Sequence, residues 1–499
     1  MTTDTTEKSR HTALDDGFFT ASRADDKNAP SQAAKLEAIG EEGLAIDPVI
    51  EKRVLRKIDL FLMPAMMIGN CTKVPNTLSK RSGRMLTWHN AIKATAWFTM
   101  IRYVQAILGS AALFGMTGDL HLSVVDTSFT PPKTDTTRLS WATSIFYFGQ
   151  LIGFTESVIP TAFMTIVSGY YTQREQALRQ SWWFSGTGWF TIIGSALNYG
   201  FSQIQGGALT PWQYIYVLAG GLTFLFGIWC FFLPNSPLTA WFLTAEERVV
   251  AVERLRQGQT GVKNQTIKTG QIKEALMDAK VWLVALTMAS GYTVNGAVSG
   301  FGPLIVSTFG YSALDSILFQ FPLGAICAIG IPLAGWVCSK YRNIRIPVLV
   351  GCTLPVVAGF IIIWKSDWSH RSVAPVVGYS LIGFFGPVVS LTVTLGASNV
   401  AGETKKSFMA SAVFVAYCVG NIVGPQLVKS ETKAQHYPEL WTGLIICYCI
   451  TILSSSALYV ILYRENKRRD ALGLDESERH RLAFKDLTDK ENEHFRYVL

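Results

Sequence analysis

The sequence predicts an all-α polytopic membrane protein with about ten transmembrane spans. Only 16% of the 499 residues are charged, whereas an ordinary soluble domain has about 25%. Nine apolar runs have the length of about 20 residues that a helix needs to cross a bilayer. They are too long and too uniform for the strands of a membrane barrel. The loops between them alternate between basic and non-basic, a pattern typical of multi-span helical proteins.

The elements follow in chain order. Residues 1–50 are polar and contain no apolar signal core, so we expect a disordered N-terminus. Two short apolar pieces, 58–69 and 104–118, supply one span between them. The nine clear spans are 139–171, 182–204, 212–233, 281–309, 316–338, 346–364, 373–398, 408–428 and 440–463. The sequence therefore predicts four spans in an N-terminal block and six in a C-terminal block.

The loop charges predict the orientation. Loops 172–181, 339–345 and 403–407 are rich in Lys and Arg, whereas 201–213 has no charge and 310–315 has only Asp315. Basic loops stay in the cytoplasm, so both termini are expected there when the number of spans is even.

The same pattern divides the chain. We expect an N-terminal helical bundle at 51–238, a cytoplasmic linker at 239–280 and a six-helix C-terminal bundle at 281–463. The linker carries seven Lys/Arg and five Asp/Glu. A cytoplasmic tail at 464–499 carries nine residues of each sign, and its composition suggests a solvated helix with no site.

Four segments carry a resemblance to a known family. They are 51–59 before the first span, 170–179, the Gly-rich basic stretch 335–345, and 399–406 followed by 420–425. Together they resemble the fungal allantoate permease branch, also called the anion:cation symporters, of the major facilitator superfamily.

The resemblance implies a two-bundle fold of the major facilitator type, working by alternating access. It also implies proton-coupled symport of a small organic anion, such as allantoate or a nicotinate-like or other vitamin-like carboxylate. The partners would be the lipid bilayer, the substrate anion and the proton, and the location would be the plasma membrane. The substrate class comes from the resemblance alone.

The chain departs from the family pattern in two places. The third helix and the family's Gly-rich charged loop are missing after residue 153, where the sequence runs into a segment that resembles the fourth helix. Segment 70–104 has no counterpart in the family and carries six basic residues but no acid. The N-terminal bundle is therefore predicted to be incomplete. A mis-spliced or degenerate family member without transport activity is the alternative, and a real rearrangement of the lineage is another.

Glu156 is the only carboxylate well inside a predicted span. A carboxylate at membrane depth is costly unless it faces a cavity or a partner, so Glu156 is a candidate for proton coupling. Alternatively, the truncated bundle places it near a membrane interface.

Several polar side chains lie in or near the spans and are candidates for the substrate path. An amide in lipid needs a partner, so it faces either protein or a water-filled cavity. Tyr292 and Asn295 are favoured because the resemblance implies that their helix lines the cavity. Hydrogen bonding between helices is the alternative function. The candidates are Tyr292, Asn295, Gln320, Asn399 and Asn421.

The charged loops suggest a cytoplasmic gate, in which ion pairs close one side of the protein and exchange partners as the halves rock. The same charges could serve only to set the topology. The gate candidates are Arg174, Glu175, Arg179, Lys340, Arg342 and Arg345.

Other classes of protein fit poorly. All seven histidines lie outside the clear spans, which argues against a membrane-embedded enzyme. The eight cysteines contain no CxxC pair, so no metal site, cofactor or disulfide framework is predicted. The excess of basic residues lies in loops between spans, where topology explains it better than nucleic acid binding.

Overall fold

The computed structural model describes residues 48–71, 116–120, 124–126, 133–135, 137–141, 144–145, 167, 170–204, 209–230, 240–257, 268–368, 372–472 and 486–499. The fold is helical, apart from one small antiparallel ribbon in which Val124–Asp126 (β1) pairs with Lys133–Asp135 (β2).

Residues 137–141 are helical. Seven further helices in the described residues of the N-terminal half and the linker have defined bounds. They are α1 (Pro48–Cys71), α2 (Thr117–Asp119), α3 (Gln173–Phe184), α4 (Gly186–Ser202), α5 (Pro211–Cys230), α6 (Ala245–Gln257) and α7 (Thr269–Leu276). Helices α3 and α4 follow each other directly and are interrupted only at Ser185.

The C-terminal half is described throughout from residue 279 onward, except for residues 369–371 and 473–485. Its helices are α8 (Ala279–Ser307), α9 (Ala313–Leu318), α10 (Gln320–Lys340), α11 (Arg345–Lys365), α12 (Val373–Leu381), α13 (Phe385–Ser398), α14 (Glu403–Gln426) and α15 (Pro438–Asp470). Short 3₁₀ turns at Ile382–Phe384 and Ser430–Gln435 complete it.

In the part of the chain that is described, six helices have the length and the apolar composition to cross a membrane. They are Ala279–Val298, Leu314–Lys340, Arg345–Lys365, Val373–Ser398, Glu403–Gln426 and Pro438–Asp470. Each overlaps one of the six spans predicted for the C-terminal block. Most of the predicted span 139–171, including Glu156, lies outside the described residues, as do most of 58–118 and all of 1–47. The total of about ten spans therefore stays a prediction.

The two halves meet along α4 and α10 at glycine positions. A Cβ atom placed on Gly188 of α4 would lie 2.3 Å from the backbone nitrogen of Ala328 and 2.5 Å from the carbonyl oxygen of Gly324. Small residues let helix backbones approach closely in a membrane, where no hydrophobic force drives helices together. Further along, Gly335 of α10 makes a similarly close approach to Ser181 of α3. We call this line of contacts the glycine seam.

The linker is divided between the halves. On α6, Arg254 donates hydrogen bonds of 2.7 Å to Glu51 of α1 and to Glu175 of α3. A second pair joins Glu247 of α6 to Lys57 of α1 at 2.8 Å. Burial of the Glu247 carboxyl opposes its ionisation, but the bonds from Lys57 and Thr244 lower its pKa. Helix α6 is thus fixed to the N-terminal half.

Helix α7 is fixed to the other half. The side-chain oxygen of Gln271 accepts backbone hydrogen bonds from Thr404 and Lys405 at the start of α14, at 3.1 and 3.2 Å. The two described helices of the linker therefore belong to opposite halves.

The expectation of a solvated helical tail is wrong for residues 486–499. This segment is irregular and folds back onto one end of the C-terminal bundle, where Asp489 is fully buried and Leu499 is only 4% exposed. The physical reason is that this end contains buried lysines, which need a carboxylate partner. We call it the basic end, because Lys280, Arg345, Lys405 and Arg469 lie there.

Candidate functional site

Two asparagines predicted for the substrate path are in direct contact. The amide nitrogen of Asn295 on α8 donates to the side-chain oxygen of Asn421 on α14, at 2.8 Å. Asn421 is fully buried and donates in turn to the carbonyl oxygen of Tyr417, at 2.8 Å. Asn295 is only partly buried. At about 1.5 Å per residue, it lies roughly 24 Å along α8 from the start of that helix.

Aromatic rings lie beside this amide pair. The rings of Tyr292 and Tyr417 are 4.5 Å apart between centroids, at an interplanar angle of 60°. Residues three or four apart share a face of a helix, so Tyr292 lies beside Asn295, and Tyr417 lies beside Asn421. These four residues form a polar-aromatic cluster with one partly accessible amide.

Close backbone contact between α8 and α14 holds the cluster. A Cβ atom on Gly424 would lie 2.3 Å from the carbonyl oxygen of Thr293, and one on Gly420 would lie 2.6 Å from that of Ala289. On the facing helix, Gly296 approaches the backbone of Asn421 in the same way. The positions of the amides are therefore set by rigid helices rather than by loops.

Gln320 lies in a separate polar contact. Its amide group bonds to the Tyr379 hydroxyl at 2.9 Å, and both side chains are buried. Gly302 of α8 leaves room for this hydroxyl, since a Cβ there would lie 2.2 Å from it. The bond joins α10 to α12, which fits the alternative function of an amide as an interhelical bond.

In the N-terminal half, two buried side-chain amides each have one atom without a hydrogen-bond partner among the described residues. They are the amide nitrogen of Gln180 on α3 and the amide oxygen of Asn198 on α4. The two residues are 2% and 4% exposed. Buried polar atoms are normally bonded, so such exceptions call for a functional explanation.

Asn399 lies at the basic end, where α13 ends, and not beside Asn295. Its side chain donates to the carbonyl oxygen of Val498 at 2.9 Å and accepts from the Val498 amide at 2.7 Å. The structure thus brings Asn295 and Asn421 together and separates Asn399 from them.

The gate candidates of the N-terminal half pair within that half and with the linker. Arg179 donates to both carboxylate oxygens of Asp59, at 3.2 and 2.9 Å. Glu175 accepts from Arg254 at 2.7 Å, and its carboxylate also accepts the backbone N–H of Thr172. The side chain of Arg174 lies outside the described part of the structure.

The gate candidates of the C-terminal half have different surroundings. The Lys340 ammonium lies 5.1 Å from the centre of the Trp336 ring, a cation–π contact within its own helix. Arg342 is exposed, whereas Arg345 is 4% exposed and donates to the Ser398 hydroxyl at 2.8 Å. The assignment of these charged residues to a cytoplasmic gate stays a prediction.

The strongest charge cluster was not predicted as a site. The Lys405 ammonium is fully buried and bonds to Glu274 at 2.6 Å, Asp278 at 2.8 Å and Asp489 at 2.7 Å. The carboxylate oxygens of these acids lie within 4.8 Å of one another, a spacing that a metal ion could also use. Here the Lys405 ammonium bonds to all three. The only signal in the sequence is the basic loop at 403–407, and the setting of topology by positive charge also explains that loop.

The ionisation of Asp489 follows from this cluster. Burial opposes ionisation, but the nearby ammonium groups of Lys280 and Lys405 outweigh this effect and lower the pKa of Asp489 to about 2. Burial and the neighbouring Asp489 carboxylate raise the pKa of Tyr497 well above its ordinary value. The tyrosine therefore stays a hydrogen-bond donor to the carboxylate.

Acid is expected to remove the contribution of Asp489 to stability. Its folded pKa lies below the ordinary value of about 3.9, so the stabilisation is complete above that value and is lost as the pH falls towards about 2. The thermal unfolding temperature of the wild type should exceed that of Asp489→Asn at neutral pH. The difference should disappear near about pH 2. A difference that is equally large at that pH would contradict this assignment.

Comparisons with known proteins agree with this architecture. The family profile of the Major Facilitator Superfamily matches residues 106–425. The allantoate permease of Saccharomyces cerevisiae is 30% identical, over 94% of this chain and 90% of that protein. An uncharacterized transporter of Schizosaccharomyces pombe is also 30% identical, over 94% of this chain and 93% of that protein.

Two further comparisons extend this picture. A thiamine pathway transporter of Saccharomyces cerevisiae is 29% identical over 71% of this chain and 68% of that protein. Among solved structures, the proton:xylose symporter XylE has a similar fold, with a TM-score of 0.52 and 14% identity over 80% of this chain and 83% of that chain.

Proposed function

Because this chain belongs to the major facilitator superfamily, we propose that it is a secondary transporter that moves a small organic anion together with protons. The family's members are transporters and not enzymes, and the chain is an integral membrane protein. Alternating access is the proposed mechanism, in which two helical halves rock about a site between them. One relative is an allantoate permease, which supports an anionic ureide or carboxylate as the substrate class.

The glycine seam is the observation that carries this proposal. Rocking requires two rigid halves that meet along a narrow line rather than through interlocked side chains. The contact of Gly188 with Gly324 and Ala328 has this character, because backbone meets backbone across the halves. The division of the linker between the halves also supports the proposal, since each part can move with its own half.

The proposed substrate contacts are neutral amides. Asn295 is partly accessible, and Asn198 and Gln180 each have a buried polar atom without a partner in the described chain. Amide N–H groups can bind a carboxylate and fix its orientation without attracting every anion, and ureide groups offer matching donors and acceptors. Glu156 remains the proposed proton-coupling residue, and we propose that the basic end faces the cytoplasm.

An uptake assay tests the function. The full chain would be produced in yeast cells that lack their own uptake of labelled allantoate and nicotinate. We expect saturable uptake of at least one of these anions, faster at acidic than at neutral external pH and abolished by a protonophore, because the proton gradient would drive it. Saturable uptake that is unchanged by the protonophore would contradict proton coupling. Uptake of neither anion would support the alternative, a chain without transport activity.

The N-terminal half departs from the family pattern. The alternative to the proposed function is therefore a chain without transport activity. Sequencing the mature transcript across codons 60–160 separates the cases. If the transcript lacks 70–104 and adds a segment after residue 153, the active protein is a form with more helices in its N-terminal bundle. A transcript that encodes the chain as given would make the uptake assay decisive for this sequence.

Replacement of Asn295 by leucine is expected to lower uptake by about tenfold or more, because a polar group of the substrate would lose its partner in a water-poor site. Leucine also leaves the buried Asn421 oxygen without the Asn295 donor, so uptake is compared at equal amounts of protein at the cell surface. The matched control is Ser307→Ala on the same helix, where the hydroxyl bonds only to its own turn, at the carbonyl of Leu304. Equal uptake by wild type and Asn295→Leu would remove Asn295 from the substrate path.

A further inference from the structure

The direction of the hydrogen bond between Asn295 and Asn421 is fixed by a third group. The amide nitrogen of Asn421 donates to the carbonyl oxygen of Tyr417, one turn back on α14, at 2.8 Å. A carbonyl oxygen can only accept, so this arm of the Asn421 amide must be its nitrogen. The other arm is therefore its oxygen, which faces the Asn295 amide at 2.8 Å. Asn295 has to present an N–H group to it.

The surroundings of Asn421 hold its amide in this direction. The side chain is fully buried. A Cβ atom on Gly296 of α8 would lie 2.9 Å from both the Cα and the carbonyl oxygen of Asn421, so the two helix backbones are in direct contact there. A reversed Asn421 amide would place its oxygen against the carbonyl oxygen of Tyr417. Two buried acceptors would then face each other without a proton between them, which is costly.

Asn295 is the accessible member of the pair. It is partly exposed, whereas residues 291–294 and 296–298 around it on α8 are buried. A side-chain amide has two N–H groups on one arm and an oxygen with two lone pairs on the other. One N–H group of Asn295 is committed to Asn421. A flip of the Asn295 amide would bring its oxygen against the Asn421 oxygen, so the Asn295 oxygen is held as an acceptor in a constant position.

We propose that Asn421 is a positioning residue for the substrate, which acts through Asn295 by holding the Asn295 oxygen as an acceptor for an N–H group of the substrate. This inference rests on the proposed function, in which Asn295 contacts the substrate. An anion that carries N–H donors, such as a ureide, can bond to this oxygen. An anion that has only acceptors, such as nicotinate, cannot. Asn421 therefore contributes to selectivity from a buried position.

Uptake of labelled allantoate by the full chain in yeast tests the proposal, with Asn421→Leu as the main variant. Leucine removes the acceptor that orients Asn295, so the Asn295 amide can turn. The KM for allantoate should rise by about fivefold or more. The maximal rate, compared at equal amounts of protein at the cell surface, should change by less than about twofold. A merely structural role would instead lower the amount of active protein and leave KM unchanged.

A second variant, Asn421→Ser, separates the loss of orientation from a loss of the fold. The new hydroxyl can bond back to the carbonyl oxygen of Tyr417. Ser411 on the same helix bonds to the carbonyl oxygen of Ser407 in this way, at 3.0 Å. The serine oxygen is one bond closer to the backbone than the asparagine oxygen, so it does not reach Asn295. Asn421→Ser should therefore also raise the KM for allantoate. The matched control is Ser411→Ala, at an exposed position of α14, which should leave both KM and the maximal rate unchanged.

A double-mutant cycle shows whether Asn421 acts through Asn295. In an Asn295→Leu chain, the addition of Asn421→Leu should change KM no further, because the oriented amide is already absent. An unchanged KM in both Asn421 variants would overturn this inference alone. So would an equal rise in KM with and without Asn295, or wild-type uptake of nicotinate but not of allantoate. Wild-type uptake of neither anion would overturn the proposed function and this inference with it.

Discussion

Replacing Lys405 by methionine is expected to lower the free energy of unfolding of the C-terminal half by about 3–5 kcal/mol, because one partner of a buried ion cluster is removed. Lys405 is fully buried and bonds to Glu274, Asp278 and Asp489. Without it, three carboxylates remain close together with only Lys280 to balance them. Thermal unfolding of the purified protein in detergent, followed by tryptophan fluorescence, would measure the loss.

Lys406 provides the control for this prediction. It is the next residue, carries the same charge and is half-buried, but it forms no ion pair with the described residues. Lys406→Met should therefore change the free energy of unfolding by no more than about 0.5 kcal/mol. Similar losses for the two variants would show that loop charge in general, and not the buried cluster, stabilises this end.

The membrane-spanning helices of the C-terminal half could be predicted from the sequence because each span is a local property. A run such as 346–364 is apolar enough to require a helix in lipid, whatever its neighbours are. The structure places that helix at Arg345–Lys365. Its boundaries fall at a buried arginine and at a terminal lysine, which the apolar pattern locates within a residue or two.

The docking of residues 486–499 onto the basic end could not be predicted in the same way. Asp489 is separated from Lys405 by 84 residues and from Lys280 by 209 residues. Equal numbers of acids and bases in a tail are typical of a solvated segment, and no local pattern marks one acid as a buried partner. Only the fold shows that Lys280 and Lys405 share the Asp489 carboxylate.

The candidate site could be predicted from the sequence only in part. Amides in spans were identified from their cost in lipid, and Asn295 and Asn421 indeed meet. The same criterion also selected Asn399, which bonds to Val498 at the basic end. The sequence gives the depth of a residue along its own helix, but the partner depends on which helices lie side by side.

Replacing Gly188 by alanine is expected to have a large effect on the contact between the two halves. The new Cβ would lie 2.3 Å from the nitrogen of Ala328 and 2.5 Å from the oxygen of Gly324, and backbone atoms cannot turn away as a flexible side chain can. Helices α4 and α10 would have to separate. Overpacking of this kind costs about 1–3 kcal/mol or more, so the state in which the seam is closed should lose about tenfold in population. Transport that depends on closing the seam should fall at least as far.

Gly200 on the same helix separates this effect from helix propensity. No described atom lies within 4 Å of a Cβ at Gly200, so Gly200→Ala should be neutral or should stabilise α4 slightly. Thermal unfolding and uptake would be measured for both variants at equal surface amounts. Equal unfolding temperatures and equal uptake for Gly188→Ala and Gly200→Ala would show that the close contact does not constrain the halves. The glycine seam could then not be the line along which they close. A loss confined to Gly188→Ala would instead link a single backbone contact to the movement of one half against the other.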